Sequence, residues 1–244
     1  MVLYPLIVGF FIVALLYSSV GHGGASGYLA WMTLLSFAPE SMRTTALCLN
    51  IIASAMAAVR FYRSGYFRKE LLWPFAITSI PMAFVGGSIP VSSFESQFKW
   101  ILAACLVIAV IRLLIEKAED EKTSLSSPPL PLALMIGAVI GLVSGMIGIG
   151  GGVLLSPVLL LARWSTLKQA SAVSAPFIFL NSVAALLGNH DHLFSLHPMF
   201  PLIMASVVAG AYLGSDLGSR VFNTKVLRIL LSCVLTLAVI KLFI

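Results

Sequence analysis

The chain contains itself twice, and both copies are interrupted by glycine clusters at matching places. Gly21-His22-Gly23-Gly24 in the first half is answered by Gly148-Ile149-Gly150-Gly151-Gly152 in the second. The same register, 127 residues from Gly21 to Gly148, pairs Ala57-Ala58 with Ala184-Ala185, Phe67 with Phe194, Pro74 with Pro201 and Ser88 with Ser215. Near the ends it slips by two residues, matching Ala109 and Arg112 to Ala238 and Lys241. A repeat of this size in an apolar chain, broken by glycine at corresponding positions, is the pattern of a transporter-type fold, and the breaks point at its binding site.

Composition sets the solvent. Hydrophobic residues make up 59% of the chain and charged residues 10%, with a mean hydropathy of +1.03. A soluble domain carries about 25% charged residues, so this chain cannot cover a water-facing surface. About 20 mostly apolar residues span a bilayer as a helix. Spanning or partly spanning helices are predicted near 4–20, 27–37, 44–60, 71–89, 98–115, 131–147, 151–162, 170–188, 199–219 and 225–243. The segments at 27–37 and 151–162 are too short to cross alone, and each follows a glycine cluster. They read as halves of broken or re-entrant helices, which membranes tolerate only where protein or a wet cavity surrounds the backbone. The expected architecture is an all-α polytopic membrane protein with a first repeat over 1–115, a cytoplasmic linker over 116–130 and a second repeat over 131–244. No removable signal peptide is expected, because no Lys or Arg precedes the first apolar run and no cleavage site follows it. Cys48, Cys105 and Cys233 lie in apolar helices without CxxC spacing and read as buried small hydrophobes.

Basic residues set the orientation, since cytoplasmic loops are enriched in Lys and Arg. The loop with Arg60, Arg63, Arg68 and Lys69 is strongly basic, whereas its counterpart from Asn189 to Pro198 has no Lys or Arg. Other pairs reverse the bias: Arg43 stands against Arg163 and Lys168, and Lys99 against Arg220, Lys225 and Arg228. Corresponding loops are therefore expected on opposite sides, making the repeats inverted, with about five helical elements each. Twelve of the fifteen basic residues then share one side, leaving Arg43, Lys99 and Lys241 on the other. Topology accounts for the net charge of +6, and no nucleic-acid partner is expected.

The glycine clusters carry the expected chemistry. Consecutive glycines admit left-handed backbone, so successive N–H groups can converge on an anion. A helix starting just after them adds the partial positive charge of its N-terminus, up to about 2 kcal/mol in partly buried geometry. Two such ends meeting near the midplane make an anion site that needs no buried lysine or arginine. The candidate substrate-binding residues in the clusters are Gly21, His22, Gly23, Gly24 and Ser26 with Gly148, Gly150, Gly151 and Gly152. Close helix packing is the competing role for these glycines. Polar residues on the third helix of each repeat extend the candidate set. Thr44, Thr45, Asn50 and Ser54 in the first answer Ser171, Ser174, Asn181 and Ser182 in the second, with Asn50, Ser54, Ser174 and Asn181 as the candidate ligands. Interhelical hydrogen bonding is the alternative, worth about 0.6 kcal/mol on average.

The paired clusters Gly21-His22-Gly23-Gly24-Ala25-Ser26-Gly27-Tyr28-Leu29-Ala30 and Ser144-Gly145-Met146-Ile147-Gly148-Ile149-Gly150-Gly151-Gly152 resemble the TauE/SafE family of membrane permeases, also called the 4-toluene sulfonate uptake permease family. The resemblance covers essentially the whole chain. It implies transport of a sulfur-containing anion such as sulfite, sulfoacetate or another organosulfonate across the cell membrane. The first cluster departs from the pattern: Ala25 replaces a third glycine, His22 intrudes, and nothing answers Pro157 of the second.

No Asp or Glu falls in the middle of a predicted helix, and Asp216 is expected to pair with Arg220. Cation-coupled carriers commonly use intramembrane carboxylates, so the expected mechanism is export driven by the membrane potential or the anion gradient. An uncoupled anion channel is the first alternative. His22 is the one titratable group placed at mid-depth, either contacting substrate as a neutral donor or proton carrier, or packed against helix ends. His190, Asp191, His192 and His197 raise a second alternative, a membrane enzyme or metal-dependent factor. Their spacing fits no standard zinc site, and a solvated polar loop is the simpler reading. No cofactor is expected; the partners are the anion and the lipid bilayer, and the oligomeric state stays open.

Overall fold

A computed structural model gives the fold. It describes residues 3–35, 37, 39–89, 125–190, 196, 198–221, 223, 225, 226, 229, 232, 233, 236 and 240. The helix expected at 98–115, most of that at 225–243, Cys105, Asp191, His192 and His197 lie outside the described residues.

Eight α-helices follow one another in the described chain: α1 Leu3–Ser19, α2 Ala25–Leu34, α3 Pro39–Arg63, α4 Lys69–Ser88, α5 Leu130–Ile147, α6 Gly152–Leu161, α7 Leu167–Gly188 and α8 Phe200–Asp216, the last running on into a π-helical turn at Leu217–Val221. The repeat is legible in the boundaries, since α1 and α5, and likewise α2 and α6, begin 127 residues apart. Among the described residues, five helices are long and apolar enough to cross a membrane: Ser41–Arg63, Lys69–Ser88, Leu130–Ile147, Leu167–Gly188 and Phe200–Val221. The two short helices at the expected places, α2 and α6, have ten residues each. At about 1.5 Å per residue they reach roughly 15 Å, half a bilayer core.

The burial pattern is that of a membrane protein. Large apolar side chains point outward from α1 (Tyr4, Val8, Ile12), α4 (Trp73, Ile77, Phe84) and α5 (Met135, Val139), while the interior holds His22, Thr44, Asn50, Ser79, Ser156, Ser174, Asn181 and Ser182. Lipid accepts the outer face, and the inner polar groups answer one another. Two of the cysteines correct the sequence reading. Cys48 is only half-buried and Cys233 is exposed, so neither is a core hydrophobe.

Glycines at every fourth position bring helix pairs into backbone contact. A Cβ on Gly137, Gly141 or Gly145 of α5 would overlap the carbonyls of Phe75, Ser79 or Ala83 of α4; one on Gly210, Gly214 or Gly218 would overlap those of Phe11, Leu15 or Ser19 of α1. Such small-residue stripes let membrane helices pack closely. Each repeat thus lends its fourth helix to the first helix of the other, and the partners run parallel. At the centre, α3 and α7 pack against each other and run in opposite directions. The start of α3 meets the end of α7 through Asn189 Nδ2 donating to Thr44 Oγ1 at 3.0 Å, and Ala57 packs on Ala172 and Ala175 further along. α4 also runs against α3, since its end meets Arg43 at the α3 start, whereas α8 runs with α3, its Asp216 meeting Arg60 near the α3 end.

Candidate functional site

The glycine clusters turn the chain between α1 and α2 and between α5 and α6, alike at two shared places and unlike at a third, where Gly150 is left-handed and its counterpart Gly23 is not. Gly21 and its counterpart Gly148 have φ of 75° and 84°, and Gly24 and Gly151 have 99° and 79°. Only glycine adopts these left-handed angles freely. The backbone bonds match too, with His22 N–H donating to Tyr17 O at 2.8 Å and Ile149 N–H to Ser144 O at 3.1 Å.

The two turns converge on one side chain, Asn50 of α3. Its Oδ1 accepts from Ala25 N–H, the first residue of α2, at 3.2 Å, and its Nδ2 donates to Ser182 Oγ of α7 at 2.8 Å. Gly23 lies flush against this amide from one turn and Gly150 from the other, so that a Cβ at either position would overlap it. A second link crosses the repeats at His22, whose Nε2 lies 3.1 Å from both Gly152 O and Ser156 Oγ of α6. Ser156 Oγ in turn lies 2.7 Å from Ser174 Oγ of α7. His22, Asn50, Ser174 and Ser182 are wholly buried. The positive ends of α2 and α6 both start here. Among the described residues, the backbone N–H groups of Gly23, Gly24, Gly150, Gly151, Gly152 and Val153 make no hydrogen bond.

Of the candidate residues, His22, Gly23, Asn50, Gly150, Gly152 and Ser174 come together in this cluster. Asn181 borders it: its Oδ1 accepts from Ser79 Oγ at 2.7 Å, and its Nδ2 is buried without a partner among the described residues. The others face elsewhere. Gly21 packs on the Ser171 backbone, Gly24 on the Tyr28 ring, Gly148 on the Arg43 stem, and Gly151 on Ile140 and Phe177. Ser26 donates to Tyr17 Oη at 3.0 Å, and Ser54 to Ile51 O of its own helix at 3.3 Å.

Three residues of this interior escaped the sequence reading. Ser156 sits among apolar residues of α6 and Ser79 beside Thr78 in α4, and neither carried a signal. Arg43, expected in a loop, belongs to α3 and is buried, 7% exposed. Its guanidinium donates to the carbonyls of Ile89, Gly86 and Gly87 at the end of α4 and of Gly145 near the end of α5, at 2.7–3.2 Å. The partial negative charge of two helix C-termini, about half a unit each, balances that cation. Asp216 meets Arg220 at 3.5 Å, as its spacing implied, and Arg60 across the repeats at 2.9 Å. Among the described residues no group of three His, Cys, Asp or Glu side chains is placed to hold a metal.

Comparison with known proteins agrees along the full length. The family model described as "Sulfite exporter TauE/SafE" matches residues 6–242. The chain is 38% identical over 240 residues to "Probable membrane transporter protein y4hK" of Sinorhizobium fredii, covering 97% of this chain and 96% of that one. To "Probable membrane transporter protein MJ0441" of Methanocaldococcus jannaschii it is 26% identical over 259 residues, covering 96% and 93%. No solved structure matches.

Proposed function

The chain belongs to the sulfite exporter TauE/SafE family of multi-pass membrane transporters, and we propose that it exports a small sulfur-containing anion: sulfite, sulfoacetate or another organosulfonate. The anion sits between the two glycine turns, held by backbone N–H groups and by the amide and hydroxyls around Asn50. One observation carries this reading. Both turns close on the same Asn50 amide while leaving six backbone N–H groups without a partner among the described residues. Converging N–H groups at two helix N-termini suit an oxyanion, and hydroxyls and amides hold it without the tight grip of a paired cation.

The two repeats cross the bilayer in opposite senses in this proposal. The antiparallel course of the counterparts α3 and α7, and the opposed directions of α4 and α8 relative to α3, support it. Export runs on the membrane potential, which supplies about 2.3 kcal/mol per charge per 100 mV for an anion leaving an inside-negative cell.

The test is flux from protein-only liposomes, screened with sulfite, sulfoacetate, taurine, sulfate and thiosulfate. Saturable flux of one or more sulfur anions, abolished by Gly150→Val in a protein that keeps its size-exclusion profile, is expected. Valine at Gly150 would both clash with Asn50 and resist the φ of 74°. Undiminished transport by that variant would put the anion elsewhere and leave the glycines a packing role.

A further inference from the structure

We infer that His22 takes up one proton with each anion bound, so that the transporter moves its anion and a proton together. The inference rests on the anion site proposed between the glycine turns. Nε2 of His22 lies 3.1 Å from Gly152 O. A carbonyl oxygen only accepts, so Nε2 carries the hydrogen that meets it, and Ser156 Oγ shares that hydrogen at 3.1 Å. In the neutral ring Nδ1 is then a bare acceptor, and it is buried with no partner among the described residues.

Protonation changes what this nitrogen needs. Nδ1 becomes a charged N–H donor inside the protein, and a buried ionic donor without an acceptor is strongly disfavoured. An oxyanion beside the turns would accept that hydrogen bond. An anion entering the same interior alone faces a desolvation cost that the imidazolium offsets. Each therefore favours the other, and linkage requires the coupling to be mutual. A divalent anion loaded with one proton still carries a net negative charge, so the potential continues to drive export; a monovalent one would move without net charge.

Few other titratable groups border His22. α1 brings Tyr17, whose hydroxyl accepts from Ser26, and α2 brings Tyr28, whose hydroxyl is buried without a partner among the described residues. α3 carries Cys48 in its middle, with Glu40, Arg43, Arg60, Tyr62 and Arg63 toward its ends, Arg43 being held by four carbonyls. α6 has none, and α7 has Lys168 at its start, against the Tyr66 ring. No carboxylate in the middle of these helices offers a rival proton site.

The test measures proton uptake on binding to the purified full chain. Sulfoacetate and methanesulfonate serve as probes because both are fully ionised at pH 7. Titration calorimetry in buffers of different ionisation enthalpy should give about one proton taken up per anion. Between pH 7 and 8 the wild-type Kd should weaken about tenfold, as one linked proton demands. His22→Gln should bind without proton uptake and with a flat pH profile. The wild-type profile stands even where that variant does not fold. Binding with a pH-independent Kd and no uptake, or the same uptake in His22→Gln, would overturn the inference and leave the anion site intact. Failure of every sulfur anion to bind would remove the anion site, and the inference with it.

Discussion

Changing Asn50 to aspartate separates an electrostatic role at the site from a packing one. The two side chains are nearly isosteric. Ala25 N–H, now 3.2 Å from Oδ1, would donate equally well to a carboxylate, and the Ser182 hydroxyl, 2.8 Å from Nδ2, can rotate to donate to the second oxygen. Assembly should therefore survive, and the main change is a negative charge between the turns. Both Gly23 and Gly150 touch this group, so an anion held by the turns would lie about 5 Å from it. At an effective dielectric of about 20, two like charges at that distance repel by about 3 kcal/mol, on the order of a hundredfold in affinity. The carboxyl can escape by binding a proton, which a neighbouring anion and burial both favour. Affinity is therefore lost as pH rises through that ionisation and regained as it falls. Calorimetric Kd for sulfite or sulfoacetate, taken as the ratio of variant to wild type at pH 8 and pH 5.5, should shrink from about a hundredfold toward a few-fold. Taking the ratio removes any proton uptake the two proteins share. A folded Asn50→Asp protein with wild-type affinity and flux at pH 8 would refute the argument, because no anion could then be near Asn50.

Single cysteines at Arg63 and Pro198, corresponding loops of the two repeats, should react with impermeant reagent from opposite sides of the membrane; Pro198 is chosen because Asn189 is buried against Thr44. Flux of a divalent anion such as sulfoacetate in liposomes should follow an imposed potassium–valinomycin potential without any sodium gradient, and flux of that anion indifferent to voltage would remove the potential as the driving force. Gly141→Leu should lower the thermal midpoint, since the new side chain must displace the Ser79 carbonyl of α4, at a cost of about 1–3 kcal/mol for overpacking. An unshifted midpoint would mean that α4 and α5 are not in backbone contact.

Much of the fold was legible because glycine and hydrophobicity are local signals. The glycine clusters marked where helices stop, and the spacing between them marked α2 and α6 as too short to cross. The site was legible only in part. Ser54 and Asn181 look equivalent in the repeat register, yet Ser54 bonds its own helix backbone while Asn181 accepts from Ser79 of α4. Arg43 resembled a loop cation because nothing near it in sequence supplies its four acceptors, which come from the ends of α4 and α5. Ser156 sits among leucines, and only the turn of the first repeat brings His22 to it. Arg43, Ser156 and Asn181 each have a partner more than forty residues away. Neither periodicity nor composition carries that information.

The duplication preserves backbone and varies side chains, with a consequence for how the site is built. Left-handed glycines recur at Gly21 and Gly148 and at Gly24 and Gly151, so both turns enter and leave alike, although Gly150 between them is left-handed and Gly23 is not. The polar groups of the cluster do not recur: Ile149 stands where His22 would, Phe177 where Asn50 would, and Leu29, Leu47 and Ala55 answer Ser156, Ser174 and Ser182. The first repeat thus supplies the amide and the imidazole, and the second supplies the hydroxyls that face them. With phenylalanine in the equivalent place, the second repeat has no amide of its own to support its turn. Gly150 leans on the Asn50 amide of the other repeat, as does Gly23 from the same side of the duplication. One side chain therefore sets the spacing of both turns. A disturbance at Asn50 reaches both halves of the site together, whereas one at Ser54, tied to its own helix, stays within the first repeat.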